Sequence, residues 1–395
     1  MLTLSKKSTS SNYQTPTNSN HQSSTSPNKE LLSTVNDNST SWRLGKSRLS
    51  PISNPNNFFT GIGLRLRLFV LQCMILVFCS VTAFAANKPN NSKASAPQAT
   101  THQVDTVTIW SQSMQKPIKN VVILPAEYNP NTPQDWPVVY LLHGFRGRYD
   151  TWINKTQPDL PEAASRMGEI IVCPDGGFSS WYWDSPIDST MRYETYITQE
   201  LIAAIDSLYQ THSSREGRAI TGYSMGGHGA LYLALRHPDI FGACGSMSGG
   251  VALIPFPKNW DIEKRIGPYQ ENPLRWEEYS VMGQLWRAVP FNDHSREVAG
   301  LPSVDPSSEL QAGQLAIFID CGTEDYFYNV NMRLHEELLY RNVPHEFIIR
   351  PGRHTHEYWR HAVEFHLLFF RDFFNRTAKQ NQQGMAIRKS QVKQE

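Results

Sequence analysis

Short, largely apolar runs alternate with amphipathic stretches from residue 104 onward, and this alternation restricts the possible folds more than any other feature of the sequence. VVYLL, EIIVC and LAIFID are runs of this kind. A strand that is apolar on both faces requires a sheet that is covered on both faces, and intervening helices provide that cover. The sequence therefore predicts an α/β domain with a mostly parallel central sheet of about eight strands and helices on both faces.

These patterns also locate the individual elements. We predict eight strands: Val104 to Trp110, Asn120 to Leu124, Val138 to Leu142, Glu169 to Cys173, Arg218 to Thr221, Gly242 to Met247, Leu315 to Cys321 and Glu346 to Arg350. Helical spacing of apolar residues predicts four helices: Tyr193 to Tyr209, Gly227 to Arg236, Val330 to Arg341 and Glu357 to Phe374. Residues 251–312 are a long, aromatic-rich insertion, which predicts either a cap lining a substrate cleft or helices packed on the sheet.

A candidate nucleophile follows the fifth predicted strand. Gly222-Tyr223-Ser224-Met225-Gly226 has the form G-x-S-x-G and lies between the apolar run RAIT and a helical stretch. This context predicts a strand, a sharp turn and a helix, with glycines where the turn is too tight for a Cβ atom. Such a turn raises the Ser224 hydroxyl above the sheet edge, at a helix N-terminus whose amides face developing negative charge.

Serine is a weak nucleophile and needs a base, and in the α/β-hydrolase arrangement the acid and the histidine follow it on later loops. Asp325 is the favoured acid, because Asp320 still belongs to the strand LAIFID, where it would be a buried hydrogen-bonding carboxylate; Glu324 is a third choice. His354 lies in the glycine-containing turn after EFIIR and is the favoured general base. His356, which begins the next helical pattern, is the alternative.

Transfer of an acyl group also requires hydrogen-bond donors for the tetrahedral oxyanion. The backbone amide of Met225, directly after the nucleophile, is one candidate. The other is expected in the loop LLHGFRGRYDTW, where Gly144 permits close approach of the backbone and Phe145 provides the candidate amide.

Five ordered motifs indicate a family. LLHGFRGRYDTW, PDGGFSSWYWDSP, GYSMGGHGALYLALRHPDIFGACGSMSG, DCGTEDYF and PGRHTHEYW span nearly all of the predicted domain. In this order they resemble the esterase D family of α/β-hydrolases, which includes S-formylglutathione hydrolases, feruloyl and acetyl esterases, tributyrin-type esterases and mycolyltransferases. The resemblance implies an α/β-hydrolase fold, a triad of Ser224, Asp325 and His354, and an oxyanion hole made by the amides of Phe145 and Met225.

Four further residues are candidates for substrate binding. Many relatives carry an aromatic residue two places after the catalytic histidine, where this chain has His356. Loops similar to the one that holds Trp181, Tyr182 and Trp183 border the active site in the family. The alternative for these three side chains is a packed aromatic cluster.

The N-terminal part of the chain has a different composition. Residues 1–60 are rich in Ser, Thr, Asn, Gln and Pro, too polar to bury a core, and are predicted to be disordered. Arg65 and Arg67 precede an apolar run that ends in Ala83-Phe84-Ala85, which predicts a signal peptide cleaved after Ala85; a retained membrane anchor is the alternative. Because signal peptides normally start near the initiator Met, our hypothesis is that translation starts near residues 61–66.

The predicted organisation is a disordered extension (1–60), a signal peptide (61–86), a linker (87–103), a catalytic domain (104–376) and a disordered tail (377–395). Residues 1–86 carry 8 basic and 2 acidic side chains, which leaves 29 basic and 34 acidic in the rest. A body with this charge is not expected to bind nucleic acid. Cys173, Cys244 and Cys321 each end an apolar run, which predicts buried thiols.

These features predict a secreted or periplasmic serine carboxylesterase. It would hydrolyse short acyl or hydroxycinnamoyl esters, on small molecules or polysaccharides, through an acyl-enzyme, with no cofactor, no metal and no membrane span in the mature form. A thioesterase like S-formylglutathione hydrolase and an acyltransferase are the alternatives. Export argues against the thioesterase, because its glutathione thioester is cytosolic.

Overall fold

A computed structural model describes residues 6–8, 102–288 and 314–392 of the chain. All of them belong to one of two compact units into which the chain divides; the other unit, Tyr13–Ala99, lies outside the described residues. The predicted signal peptide and most of the predicted linker therefore lie outside them too. None of the helices in the described ranges is long and apolar enough to cross a membrane.

A nine-stranded sheet forms the centre of the described unit. In chain order its strands are β1 (Lys6–Ser8), β2 (Gln103–Ser111), β3 (Lys116–Leu124), β4 (Val138–Leu142), β5 (Ile170–Pro174), β6 (Arg218–Gly222), β7 (Ala243–Met247), β8 (Ala316–Gly322) and β9 (Glu346–Arg350). Across the sheet the order is β1-β2-β3-β5-β4-β6-β7-β8-β9. The first three neighbouring pairs are antiparallel and the five that follow are parallel, which confirms the predicted mostly parallel sheet.

The eight strands from β2 to β9 correspond one to one with the predicted strands. β4 and β9 have the predicted bounds, whereas β3 begins at Lys116 and not at the predicted Asn120. β1 was not predicted, and it lies within residues 1–60, which were predicted to be disordered. It pairs antiparallel with β2, with Lys6 opposite Val107, and its sequence KKS has no apolar alternation that would indicate a strand.

Two hydrophobic cores cover the two faces of the sheet, and the strands explain why. In β4, Val138, Tyr140 and Leu142 belong to one core. Val139 and Leu141 belong to the other core. Successive side chains of a strand point to opposite faces, so a strand that is buried on both faces must be apolar throughout. The run VVYLL follows from this requirement.

Nine α-helices surround the sheet within the described ranges. They are α1 (Leu160–Met167), α2 (Tyr193–Thr195), α3 (Ile202–Leu208), α4 (Met225–Arg236), α5 (Ile262–Ile266), α6 (Pro273–Glu278), α7 (Val281–Gln284), α8 (Tyr328–Tyr340) and α9 (His356–Val392). Two π-helical turns (Trp152–Thr156 and Tyr196–Leu201) and two 3₁₀ turns (Arg215–Gly217 and Leu285–Arg287) accompany them. The predicted helix from Tyr193 to Tyr209 is thus interrupted by π-helical geometry. The helix α1 was not predicted.

The C-terminal helix contradicts the prediction of a disordered tail at 377–395, because α9 continues to Val392. The Thr377 hydroxyl lies 3.2 Å from the Phe373 carbonyl and 3.0 Å from the Phe374 carbonyl, within the helix. Beyond Thr377 the sequence is rich in Gln and Lys, which favour helix without any apolar stripe. The prediction relied on apolar periodicity, which reports packing and not intrinsic helix propensity.

The described part of the insertion, residues 251–288, packs short helices of its own. Trp276 is fully buried, and its indole N–H donates to the Gly267 carbonyl at 2.9 Å, as the packing interpretation requires. Trp260 is only partly buried and Trp286 is 61% exposed. Residues 289–312 lie outside the described part of the chain.

Candidate active site

Ser224 lies on the turn between β6 and α4. Its φ of 57° and ψ of −119° form a conformation that non-glycine residues rarely adopt. The Ser224 amide donates to the Met247 carbonyl at 2.9 Å, and its own carbonyl accepts from the His228 amide at 3.0 Å. These two hydrogen bonds hold the strained turn between the sheet and the helix.

Two glycines allow this turn to lie against β4. A Cβ atom at Gly222 or at Gly226 would lie 2.5 Å from the carbonyl oxygen of Leu142, closer than non-bonded atoms approach. The glycines of the G-x-S-x-G motif are therefore required by packing of the turn against the neighbouring strand.

The structure brings Ser224, His354 and Asp325 together from three loops. His354 Nε2 lies 2.9 Å from Ser224 Oγ, and His354 Nδ1 lies 2.8 Å from Asp325 Oδ2. Asp325 Oδ1 accepts the Phe327 amide at 2.8 Å, and the Asp325 side chain is fully buried. The parallel strands β6, β8 and β9 end at the same sheet edge, so the loops that follow them meet there.

The alternative acids lie elsewhere. Asp320 is a fully buried residue of β8 that accepts from Arg350 at 2.8 Å and from the Tyr358 hydroxyl. Burial raises the pKa of Asp320 above its ordinary value. Glu324 forms a 2.8 Å ion pair with Arg353 at the surface.

His356 lies against the nucleophile turn without a hydrogen bond to Ser224. Its Nδ1 is 2.8 Å from the Thr156 hydroxyl, and its ring packs edge-on against Tyr223 and Trp359, with centroids 5.5 and 5.1 Å apart. Burial lowers the pKa of His356 to about 4, so its imidazole is neutral near pH 7.

The two amides expected to form the oxyanion hole flank the nucleophile. Met225 is the first residue of α4, and Phe145 follows Gly144 in the loop after β4. A Cβ atom at Gly144 would lie 3.2 Å from Ser224 Cβ, so this loop passes directly beside the nucleophile. Among the described residues, neither amide donates a hydrogen bond to a protein group. Both donors are therefore available to a ligand.

A buried histidine supports the same loop. His143 Nδ1 lies 2.8 Å from the Gly144 carbonyl, and His143 Nε2 accepts the Gly176 amide at 2.8 Å. A carbonyl can only accept and an amide can only donate, so the imidazole is neutral with its proton on Nδ1. Burial lowers the pKa of His143, in agreement with this state. Its position beside Gly144 was the only sign of this role in the sequence.

Trp181, Tyr182 and Trp183 lie inside the protein. The two indole rings stack with centroids 5.5 Å apart, and the Trp183 N–H donates to His228 Nε2 at 3.0 Å. The Tyr182 hydroxyl donates to the His143 carbonyl at 3.0 Å. All three side chains are buried and so offer almost no surface to a substrate, which matches the packed-cluster alternative.

One aromatic residue that the sequence did not single out, Tyr326, lies beside His354, and Trp260 of the insertion packs on it. The rings of Tyr326 and His354 have centroids 4.2 Å apart, and Trp260 stacks on Tyr326 at 5.6 Å with an interplanar angle of 18°. The position of Tyr326 directly after Asp325 was the available signal. Trp260 belongs to the aromatic-rich insertion, for which a cap lining a substrate cleft was one of the two predictions.

This arrangement is suited to nucleophilic catalysis. A hydroxyl bonded to an imidazole, which is itself held by a buried carboxylate, can lose its proton as it attacks a carbonyl carbon. The described residues contain no cluster of three or more His, Cys, Asp or Glu side chains placed to hold a metal ion.

Comparison with known proteins identifies similar chains. A family model described as "Putative esterase" matches residues 111–370. Esterase Rv1288 of Mycobacterium tuberculosis is 33% identical over 135 residues, which are 33% of this chain and 29% of that protein. The diacylglycerol acyltransferase/mycolyltransferase Ag85A of Mycobacterium leprae is 41% identical over 123 residues, 29% of this chain and 36% of that protein.

A solved structure of a ferulic acid esterase has a TM-score of 0.55 and 26% identity, over 69% of this chain and 98% of that chain. The similarity to the two curated relatives spans about a third of their length.

Proposed function

The chain belongs to the esterase family whose model it matches, as its five motifs predicted, and from this membership we propose that it is a serine carboxylesterase with Ser224, His354 and Asp325 as its catalytic triad. The observation that carries the proposal is the continuous hydrogen-bonded chain from Ser224 Oγ through both imidazole nitrogens to Asp325.

In the proposed mechanism, His354 Nε2 takes the proton of Ser224 as Oγ attacks the ester carbonyl carbon. The amides of Phe145 and Met225 donate to the oxyanion of the tetrahedral intermediate. His354 then gives the proton to the leaving oxygen, the bond between the acyl carbon and that oxygen breaks, and the alcohol departs. Water then gives a proton to the same imidazole as it attacks the acyl carbon, the bond between Ser224 Oγ and the acyl carbon breaks, His354 returns the proton to Oγ, and the acid departs.

Asp325 has two tasks in this scheme. Its Oδ2 accepts from His354 Nδ1, which keeps the lone pair of Nε2 directed at Ser224. Its negative charge stabilises the imidazolium that forms during attack. Because the Asp325 side chain is fully buried, little solvent screens this interaction.

We propose short acyl or hydroxycinnamoyl esters as the substrates, on small molecules or on polysaccharides. The similarity to the ferulic acid esterase structure supports this class. The similarity to the Mycobacterium leprae acyltransferase supports acyl transfer to an alcohol as the second candidate. A thioesterase like S-formylglutathione hydrolase remains the third. We also propose export through the leader at 61–86, the boundary between linker and catalytic domain near residue 104, and no cofactor.

The test is a substrate panel on the full chain with p-nitrophenyl acetate, p-nitrophenyl butyrate, methyl ferulate, acetylated xylan and S-formylglutathione. We expect turnover of the first three that Ser224→Ala abolishes. Ser213→Ala, at an exposed serine outside the site, is the matched control and should keep wild-type rates. Equal rates for wild type and Ser224→Ala would refute the proposed nucleophile. Faster release of p-nitrophenol on addition of an alcohol, with formation of its ester, would favour the acyltransferase.

A further inference from the structure

The aromatic pair formed by Trp260 and Tyr326 lies at the exposed side of His354. Three rings pack on the imidazole in the described part of the chain, those of Tyr326, Phe327 and Trp359, with centroids 4.2, 5.4 and 4.8 Å away. Phe327 and Trp359 are buried, whereas Tyr326 is 51% exposed. Of these three rings, Tyr326 is therefore the one that an incoming molecule can touch.

The backbone at Trp260 is anchored to the core. Trp260 and Asp261 have φ values of 51° and 59°, two consecutive residues in the left-handed region, which non-glycine residues rarely adopt. The Trp260 carbonyl accepts the indole N–H of the buried Trp181 at 3.1 Å, which anchors the strained segment to the core. Strain of this kind persists where the surrounding structure enforces it, and it concentrates at functional sites.

Hydrogen bonds in the turn that carries Asp325 fix the backbone at Tyr326. The Asp325 amide donates to the Gly322 carbonyl at 3.1 Å, and the Phe327 amide donates to Asp325 Oδ1 at 2.8 Å. Tyr326 lies between these two hydrogen bonds. Both members of the pair are thus positioned before a substrate binds, which reduces the entropic cost of contact.

The chemistry of the triad decides which half of an ester lies beside this pair. His354 Nε2 faces Ser224 Oγ and must later protonate the leaving oxygen. The leaving oxygen therefore comes within hydrogen-bond distance of the imidazole, and the alcohol attached to it lies on the imidazole side. Tyr326 packs on the imidazole and Trp260 stacks on Tyr326, so a group that the imidazole holds comes next to this pair.

We propose that the Trp260–Tyr326 pair is a subsite for the leaving group and selects alcohols with a flat apolar face, namely aryl or pyranosyl rings. This inference rests on the proposed triad. Aromatic side chains offer large flat faces to such rings, and contacts between flat faces stabilise binding beyond the burial of area. The enzyme would therefore select for a ring in the alcohol half of the ester.

The experiment compares three acetates that release primary alcohols: benzyl acetate, methyl 6-O-acetylglucopyranoside and n-pentyl acetate. For Trp260→Ala and Tyr326→Ala, we expect the ratio of kcat/KM for a ring ester to that for n-pentyl acetate to fall about tenfold. Tyr326→Phe should restore the ratio. Trp286→Ala, at an exposed tryptophan of the same insertion, is the matched control and should leave it unchanged. A fall confined to the benzyl or to the glucosyl ester identifies the kind of ring.

Binding of the free alcohols separates this proposal from the proposed function. Saturation-transfer NMR with benzyl alcohol and methyl glucopyranoside should show binding to Ser224→Ala protein that the added Trp260→Ala change removes. Equal loss of activity on all three acetates, or alcohol binding that survives Trp260→Ala, would overturn the subsite while ester hydrolysis stands. Alcohol binding through the pair in a wild-type protein without turnover would support the subsite and overturn the proposed function.

Discussion

Replacement of Asp325 with asparagine tests the tautomer that the site enforces on His354. Asp325 Oδ1 accepts the Phe327 amide at 2.8 Å, so the carbonyl oxygen of an asparagine must stay at that position. Its NH₂ group then faces His354 Nδ1, where the carboxylate oxygen Oδ2 now lies 2.8 Å away. An NH₂ group can only donate, so His354 must accept at Nδ1 and carry its proton on Nε2. In that tautomer Nε2 cannot take the proton of Ser224.

We expect Asp325→Asn to lower kcat on p-nitrophenyl acetate about 10⁴-fold, the loss found where this exchange imposes the wrong tautomer in another serine hydrolase. That factor corresponds to about 5.5 kcal/mol of transition-state stabilisation. The shape of the side chain is unchanged, so the urea midpoint of unfolding should move little. Glu324→Gln, at the neighbouring surface carboxylate, is the matched control and should keep kcat within about twofold.

A kcat for folded Asp325→Asn above a tenth of the wild-type value would refute this reasoning. Asp320→Asn provides a second comparison, because Asp320 bonds Arg350 and Tyr358. We expect its main effect on stability. A folded Asp320→Asn protein with a lower kcat than Asp325→Asn would transfer the role of the acid to Asp320.

Three further predictions concern stability. Gly226→Ala places a Cβ atom 2.5 Å from the Leu142 carbonyl oxygen and should lower the free energy of unfolding by about 1–3 kcal/mol in urea titrations; an unchanged midpoint would contradict the packing argument. Neither carboxyl oxygen of Glu169 has a hydrogen-bond partner among the described residues, and burial raises its pKa well above 4.5. The stability of the wild type relative to that of Glu169→Gln should therefore fall as pH rises above 4.5, by up to about 1.4 kcal/mol per pH unit, because the other titrating groups contribute equally to both proteins; a difference that does not change with pH would contradict this assignment. Burial lowers the pKa of His228 and of His366 from 6.5 to about 3, so the unfolded chain binds more protons in that window. In the Glu169→Gln protein, stability should fall as pH drops from 6.5 toward 3, and a flat profile would contradict this assignment.

The sheet was predictable from the sequence because a strand that is buried on both faces is apolar throughout. The run VVYLL has no polar residue, and its five side chains divide between two cores. The order of Ser224, Asp325 and His354 along the chain was visible for a related reason. Each follows a predicted strand, and the loops after parallel strands meet at one sheet edge.

What the sequence could not provide was the direction of side chains within loops. Trp181 and Trp183 follow a strand, as residues beside an active site do, yet the turn directs them into the core, where both are buried. Trp181 and Tyr182 have positive φ values of 57° and 62°, a local backbone conformation that no periodicity reveals. Trp260 reaches His354 through Tyr326 and Phe327, across a separation in sequence that periodicity does not bridge.

The histidines around Ser224 show why partners, and not sequence position, separate a catalytic imidazole from a structural one. His143 donates to a carbonyl and accepts from an amide, and His228 donates to the Gly250 carbonyl and accepts the Trp183 N–H. Each of these partners fixes the direction of its bond, so both rings hold one neutral tautomer. His354 is bonded instead to a carboxylate, which stabilises added positive charge, and to a hydroxyl, which can give up its proton. Of these three rings, it is therefore His354 that can gain a proton at Nε2 without losing a hydrogen bond, as transfer of the Ser224 proton requires.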